Sequence, residues 1–246
     1  MQRYFIEGKI PENRIVAITG DDAKHIAKVM RQTAGDYLIA VMEGDAYLAK
    51  IVAADFDVEV ELGEILETQV ELPKKVTIAC GLPKGDKLDL ITQKATELGM
   101  YALLPFSAER SIVKWDSSKS EKKIGRLQKI AKEAAEQSHR THVPEIHGVH
   151  SFQQLLAKAS SSYDTIIVAY EEEAREGDRT RFAEILKSMY DKDSVLIVFG
   201  PEGGISEKEV AALKSAGAIF TSLGPRILRT ETAPLYALAA ISCEFE

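Results

Sequence analysis

Cysteine is scarce in this chain of 246 residues: Cys80 and Cys243 are the only two, each inside an apolar run. Both read as buried thiols in a reduced compartment. A chain this long buries roughly 70% or more of its unfolded surface, so it needs neither disulfides nor a structural metal to fold. Long apolar runs are missing too. The longest mostly apolar stretch, Ala233 to Cys243, falls far short of the roughly 20 residues that span a bilayer. The first residues, Met1 to Glu7, offer only three apolar positions before a charge, so no signal peptide is expected. A soluble, cytosolic protein follows as the expectation. Positive charge is not in excess either, since the net charge is −7, which as an average argues mildly against nucleic acid. That average hides an asymmetry. Residues 1–72 hold 7 Lys and Arg against 14 Asp and Glu, whereas the remainder balances, so local clusters must decide the partner. Internal repeats are absent, and Ser160-Ser161-Ser162 reads as a loop.

What is present is ordinary globular composition, 45% apolar and 28% charged, at a length that allows one large or two small domains. Residues 1–72 read as a small β-rich unit. Phe56, Val58, Val60 and Leu62 alternate with acidic residues, the mark of a half-buried strand. Gly44-Asp45 between two apolar runs signals a hairpin. One short helix, capped by Asp21 or Asp22, presents Ile26, Val29 and Met30 as its apolar face. Strands, hairpin and helix together suggest a small barrel. Near Leu72-Pro73 the pattern changes, which places a domain boundary between 1–72 and 73–246. Strand candidates now alternate with helices: Val76–Cys80 with Leu88–Leu98, Ala102–Phe106 with Ser120–Ser138, Asp164–Tyr170 with Arg179–Tyr190, Val195–Phe199 with Glu207–Ala216, and Ala218–Leu223 with Thr232–Cys243. Runs as continuous as Val195–Phe199 fit an α/β fold, a parallel sheet covered by helices on both faces.

Ligands of such sheets bind beyond the carboxyl ends of the strands. After Phe199 comes Gly200-Pro201-Glu202-Gly203-Gly204, followed by a capping box of Ser206 and Glu209. Three glycines in five residues admit a ligand close to the backbone, beside the unpaired N–H groups of a helix start. The same residues also make a plain strand-to-helix turn. The spacing is not that of a dinucleotide fingerprint, and Gly81 to Lys87 is not a P-loop. After Leu223 comes Gly224 to Pro234, where Arg226, Arg229, Glu231 and two threonines surround Ile227-Leu228, with Thr232 the expected N-cap. That density of charge beside apolar residues points to a site, although a surface loop with an ion pair would also account for it.

Phe199-Gly200-Pro201-Glu202-Gly203-Gly204 and Leu223-Gly224-Pro225-Arg226-Ile227-Leu228-Arg229-Thr230-Glu231-Thr232-Ala233 resemble the cofactor loops of the SPOUT superfamily of S-adenosylmethionine-dependent RNA methyltransferases. More narrowly, the chain resembles the bacterial 16S rRNA (uracil-N3) methyltransferases. Glu136 to Arg140, Lys94 to Gly99 and His25 to Arg31 also look like signatures of that family, so the resemblance covers the whole chain in order. It implies an N-terminal PUA-like RNA-binding barrel, a C-terminal α/β domain with a deep trefoil knot, and a homodimer with cofactor sites near the subunit interface. A knot is a rare exception to the topologies that chain physics favours. The resemblance also implies S-adenosylmethionine as cofactor, with its adenine against Leu223, Gly224, Ile227 and Leu228. Phe199, Gly200, Glu202 and Gly203 would then line the ribose and methionine side.

The implied reaction makes its own demands. Uracil N3 lies on the pairing edge, so the target base must be unpaired or flipped. Loss of the N3 proton spreads negative charge onto two ring oxygens, which a fixed guanidinium would stabilise. Arg229 and Arg140 are the candidates, Arg229 first. Glu202 or Glu231 could accept the proton or equally orient an arginine. For RNA contact, Lys122, Arg126 and Lys129 share one helix face, and Lys24, Lys28 and Arg31 repeat that spacing beside Arg3 and His25. Such stripes are also ordinary solvated faces. His139, His142, His147 and His150 cluster without nearby cysteine, and Pro144 interrupts them, so no metal is expected. Ribose 2′-O methylation, a non-catalytic assembly factor that binds RNA, and an unrelated nucleotide-binding enzyme remain as rival readings.

Overall fold

The computed structural model describes residues 1–67, 69–170 and 181–246. They divide into two compact units, Met1–Glu71 with Ala135–His142, and Leu72–Ala134 with Val143–Glu246.

The first unit is built on a five-stranded sheet of β1 (Arg3–Phe5), β2 (Ile15–Ile18), β3 (Tyr37–Met42), β4 (Asp45–Ala54) and β5 (Val58–Leu66), in the order β1-β3-β4-β5-β2. Only β1 and β3 run parallel; the other pairs are antiparallel. Val58, Val60 and Leu62 point inward while Glu59 and Glu61 stay exposed, as period-two alternation requires. Two register shifts along β4 and β5 bend the pair, so the expected barrel is a curled sheet with β1 and β2 as its edges. Helix α1 (Gly20–Lys24) runs into a π-helical turn (His25–Val29) whose Ile26 is fully buried against Leu38, Ala40 and Ile51.

Several local expectations need correction. Thr19, not Asp21 or Asp22, is the N-cap of α1, and both aspartates lie in its first turn, where the helix dipole favours them. The hairpin turn is Glu43-Gly44, both at positive φ, and Asp45 already pairs with Met42. Phe56 is 93% exposed, because the chain bends at residues 55–57 and β5 starts only at Val58.

The second unit is a parallel sheet of β6 (Lys75–Gly81), β7 (Ala102–Ser107), β8 (Glu145–Ile146), β9 (His150–Ser151), β10 (Thr165–Ala169), β11 (Ser194–Phe199) and β12 (Ile219–Thr221). The order is β12-β10-β11-β6-β7-β8, with β9 also on β7. Among the described residues six helices flank or connect these strands: α2 (Lys87–Glu97), α3 (Ser117–Gln137), α4 (Phe152–Ser162), α5 (Arg181–Lys187), α6 (Glu207–Ser215) and α7 (Thr232–Phe245). Alternation splits each strand between two cores. Val195, Ile197 and Phe199 join Leu88, Ile91, Leu127 and Leu238 on one face, while Leu196 and Val198 join Leu155, Leu213 and Phe220 on the other. Both faces are therefore covered, which is why these strands read as unbroken apolar runs.

Helix α4 includes Ser160 to Ser162, because Ser160 and Ser161 turn their hydroxyls back to the Leu156 and Ala157 carbonyls. The expected helix Arg179–Tyr190 is described as α5 from Arg181; its first two positions lie outside the described residues. Cys80 is buried, but Cys243 is exposed on α7, contrary to expectation. Among the described residues no helix is long and apolar enough to cross a membrane.

Candidate functional site

Five strands of the second unit deliver loops to one edge of its sheet, the carboxyl edge. There a cavity of about 560 Å³ is lined by Phe199 to Ile205 after β11 and by Ile227 to Thr230 before α7. Lys87, Arg110, Ala169, Tyr170 and Ala233 complete it. A second cavity of about 280 Å³ shares Tyr170, Ile227 and Leu228 and adds Ser222 to Arg226. All eight residues expected at the cofactor line one or the other: Phe199, Gly200, Glu202 and Gly203 the first, Leu223 and Gly224 the second, Ile227 and Leu228 both.

Local chemistry explains the shape of these loops. The Gly204 N–H donates to the Pro201 carbonyl (2.8 Å), and Gly204 takes a left-handed φ of 72° that residues with a side chain seldom adopt. Ser206 and Glu209 then form the capping box of α6. At Gly203 a Cβ would lie 2.7 Å from the Arg110 carbonyl oxygen, so glycine here serves the packing of two loops. Gly224 differs, for it needs its φ of 114° but faces open space, leaving its backbone approachable. The Arg229 carbonyl accepts from the Thr232 N–H (2.8 Å) and the Ala233 N–H (3.0 Å). Glu231 therefore occupies the N-cap position and Thr232 is the first residue of α7, one step later than its expected capping role.

Charges in the first cavity are not equivalent. Lys87 Nζ lies 2.9 Å from Glu202 Oε1 and 3.4 Å from Glu231 Oε2, and these contacts raise the lysine pKa. Burial pushes the Glu202 carboxyl up, but hydrogen bonds from Lys87 and from the Lys84 N–H (3.1 Å) outweigh it and hold the group below the usual carboxylate range. Among the described residues the guanidinium groups of Arg110 and Arg229 make no hydrogen bond or ion pair. Ile227 is 74% exposed, a large apolar side chain at the mouth of both cavities. Sequence reasoning missed Lys87, Arg110 and Tyr170. No local pattern marks them, although the ends of β6, β7 and β10 were places to look.

The remaining candidates lie elsewhere. Lys122 and Lys129 are exposed on α3, with Arg126 beside them in an ion pair to Asp89 (2.5 Å). In the first unit, Lys24 pairs with Asp21, Lys28 and Arg31 are exposed, and His25 Nδ1 meets the Tyr4 hydroxyl at 2.9 Å. Arg3 does not reach the surface: it is 4% exposed, and its guanidinium donates to the Arg140 carbonyl. Arg140 is only 2% exposed, and its guanidinium grips the Glu71 carboxylate, which leaves it unavailable to a substrate oxygen. Of the four clustered histidines, His147 meets Glu145 at 2.9 Å, and no group among the described residues has a metal-holding arrangement.

A family model described as "RNA methyltransferase domain" matches residues 70–242, and one described as "RNA methyltransferase PUA domain" matches residues 18–61. The ribosomal RNA small subunit methyltransferase E of Bacillus subtilis is 50% identical, over 100% of this chain and 98% of its own. The Mycobacterium bovis protein of the same name is 32% identical, over 96% of this chain and 90% of its own. A crystal structure of the Neisseria gonorrhoeae enzyme of that name, bound to S-adenosyl methionine, superposes with a TM-score of 0.84. It is 29% identical and covers 99% of this chain and 97% of its own. The chain therefore belongs to the ribosomal RNA small subunit methyltransferase E family, an RNA methyltransferase domain joined to a PUA domain.

Proposed function

We propose that this protein transfers the methyl group of S-adenosylmethionine to N3 of a uridine in the 16S rRNA of the small ribosomal subunit. The observation that carries the reading is the meeting of the Gly200–Gly204 and Ile227–Thr230 segments at one cavity, whose wall carries a guanidinium with no hydrogen bond or ion pair among the described residues. The relatives bearing the rRNA methyltransferase name, and the cofactor bound in the Neisseria structure, support it.

The residues present suit such a cofactor. Exposed Ile227 offers an apolar face to a flat ring, and the Gly224 backbone is open to an adenine edge. Lys87 between two carboxylates offers both charge signs to a zwitterionic amino-acid end. When bound, S-adenosylmethionine supplies a methyl group already activated by its sulfonium. Arg229 stabilises the charge that spreads onto the uracil oxygens as the N3 proton passes to solvent water. Glu202, held ionised below the usual carboxylate range, is a weak proton acceptor, and its work is to fix Lys87. Arg140, buried on Glu71, takes no part in the chemistry.

RNA docks on the α3 face that carries Lys122 and Lys129 and on the exposed Lys28 and Arg31 of the first unit. A second copy of the chain completes a homodimer, and the protein works in the cytoplasm, where ribosomal RNA is found. The reading includes a knotted passage near the C-terminus. In its support, the chain leaves the edge strand β12, returns past β10 to the cavity at the end of β11, and then packs Leu238 and Ile241 of α7 into the core with Ile91 of α2.

The test is mass spectrometry of rRNA nucleosides from cells with and without the gene. Loss of N3-methyluridine from 16S rRNA, restored by the gene, is expected. Unchanged N3-methyluridine, or loss of a ribose-methylated nucleotide instead, would overturn the reading.

A further inference from the structure

The methyl-transfer reading leaves one cation of the cavity without work. Arg110 follows β7, lines the cavity, and its guanidinium has no hydrogen bond or ion pair among the described residues. Its backbone, in contrast, is pinned from three sides. The Ser111 hydroxyl accepts from the Ala108 N–H (3.1 Å), and the Ser111 N–H returns a bond to the Ala108 carbonyl (3.0 Å). Gly203 packs against the Arg110 carbonyl so closely that no Cβ would fit. The Glu109 N–H donates to Oε1 of Glu209 at 2.8 Å.

Glu209 is the unusual part. Only 4% exposed, it satisfies the capping box of α6 with Oε2, which accepts from the Ser206 N–H at 2.9 Å. A capping box needs no more of its carboxylate than that. The second oxygen is spent on the Arg110 loop. A buried carboxylate thus ties the loop after β7 to the helix after β11, and the loop it holds presents the Arg110 guanidinium, unpaired among the described residues, to the cavity.

Two observations say what that guanidinium meets. Around Lys87, one cation and two carboxylates already match a zwitterion, so Arg110 adds positive charge that the cofactor's amino-acid end does not require. Beyond Arg110 the chain turns basic: residues 108–129 hold seven Lys and Arg against three Asp and Glu, in a protein of net charge −7. Within that stretch Lys123 lies over the Trp115 ring at 4.4 Å, and Lys122 and Lys129 are exposed on α3. A ligand that is anionic along its length fits this arrangement, and a planar guanidinium matches a phosphodiester with two parallel N–H donors.

We infer that Arg110 clamps a backbone phosphate of the RNA strand entering the cavity, and that Glu209 is the residue that positions it. The inference rests on the RNA methyltransferase reading and adds the contact that orients the strand.

The experiment compares wild type with Arg110→Ala, Arg110→Lys and Glu209→Gln, using purified small ribosomal subunits lacking the modification. It measures methyl transfer and subunit binding across a salt series, and S-adenosylmethionine affinity by calorimetry. Arg110→Ala should raise the KM for subunits about tenfold and flatten the plot of log affinity against log salt by about 0.7 to 0.9, one phosphate contact. Cofactor affinity should not move. Arg110→Lys should restore the salt slope but only part of the affinity. Glu209→Gln should raise the KM for subunits while kcat at saturation and cofactor affinity hold, a split that general destabilisation would not produce. An unchanged salt slope in Arg110→Ala overturns the inference. So does a loss of cofactor affinity with subunit binding intact, which would assign Arg110 to the cofactor carboxylate. Wild-type protein that binds subunits without transferring methyl groups would sink the methyltransferase reading instead, and leave the salt slope to judge Arg110.

Discussion

Three arginines of this chain show how little an arginine's identity says about its work. Arg3 and Arg140 are buried and engaged, the one on a carbonyl and the other on Glu71. Arg229 is exposed at the cavity, its guanidinium without a hydrogen bond or ion pair among the described residues, while its carbonyl holds the first turn of α7. An anchored backbone under a free guanidinium is the arrangement that electrostatic preorganisation needs. Arg229→Lys should therefore lower the single-turnover rate of methyl transfer by about 100-fold or more, because one oriented donor to the developing oxyanion is lost. Cofactor affinity should change far less, since the apolar contacts come from Ile227 and Leu228. A wild-type rate with bound subunits would remove Arg229 from the mechanism. The two loops that flank it were legible in sequence, because glycine, proline and charge are concentrated there. Lys87 and Arg110 were not, since Lys87 merely opens α2, Arg110 is one basic residue in the loop after β7, and only the sheet order brings them to the same cavity.

At the level of elements, legibility followed burial. Strands covered on both faces were plain from their apolar runs, and the capping box of α6 is set by Ser206 and Glu209 alone. Boundaries set by tertiary partners were not plain. Phe56 continued the alternation of β5 but sits in the bend before it, and the serines of α4 stay helical through bonds to their own backbone. The end of α3 is a further case. Its chain stops at His139, which takes a left-handed φ of 61°, while the Arg140 N–H closes back on the Ala135 carbonyl (2.9 Å). Glu71 then collects the Arg140 guanidinium and the N–H groups of Thr141 (2.8 Å) and His142 (3.1 Å). Burial alone would raise the Glu71 pKa, but the hydrogen bonds and charge of Arg140 and the two backbone donors hold it below the usual carboxylate range. A carboxyl depressed in the folded state stabilises above the usual carboxylate range, and that contribution fades as pH falls through the depressed value. Glu71→Gln should consequently cost about 3 kcal/mol near neutrality, by leaving a buried guanidinium unpaired. The penalty should shrink in acid. Urea unfolding of both proteins across a pH series measures it, and a difference that is constant with pH would show that Glu71 does not act through its charge.

On the scale of the whole molecule, the last helix raises a question that the single chain does not answer. From Thr232 to Cys243 helix α7 carries no charged residue. Ala237, Leu238 and Ile241 are buried, yet Tyr236, Ala239 and Cys243 are exposed on the other side. A helix apolar around its full circumference belongs in an interior. The sequence therefore placed Cys243 among buried residues for a sound reason, and a second copy of the chain packed on this face would put it there. If α7 forms the proposed homodimer, Tyr236→Glu sets an uncompensated charge in the interface and should convert a dimer to a monomer in sedimentation at micromolar concentration. Cys243 supplies an independent readout. Burial pushes the Cys80 thiol up to about 12, so Cys80 is inert and thiol labelling of the native protein reports on Cys243. Labelling should be slow in the wild type and rise sharply in Tyr236→Glu, with the far-ultraviolet circular dichroism unchanged. A wild-type protein that sediments as a monomer would remove the dimer, one that sediments as a dimer yet labels Cys243 at the rate of a free thiol would place the contact elsewhere, and in either case the apolar outer face of α7 would need another partner.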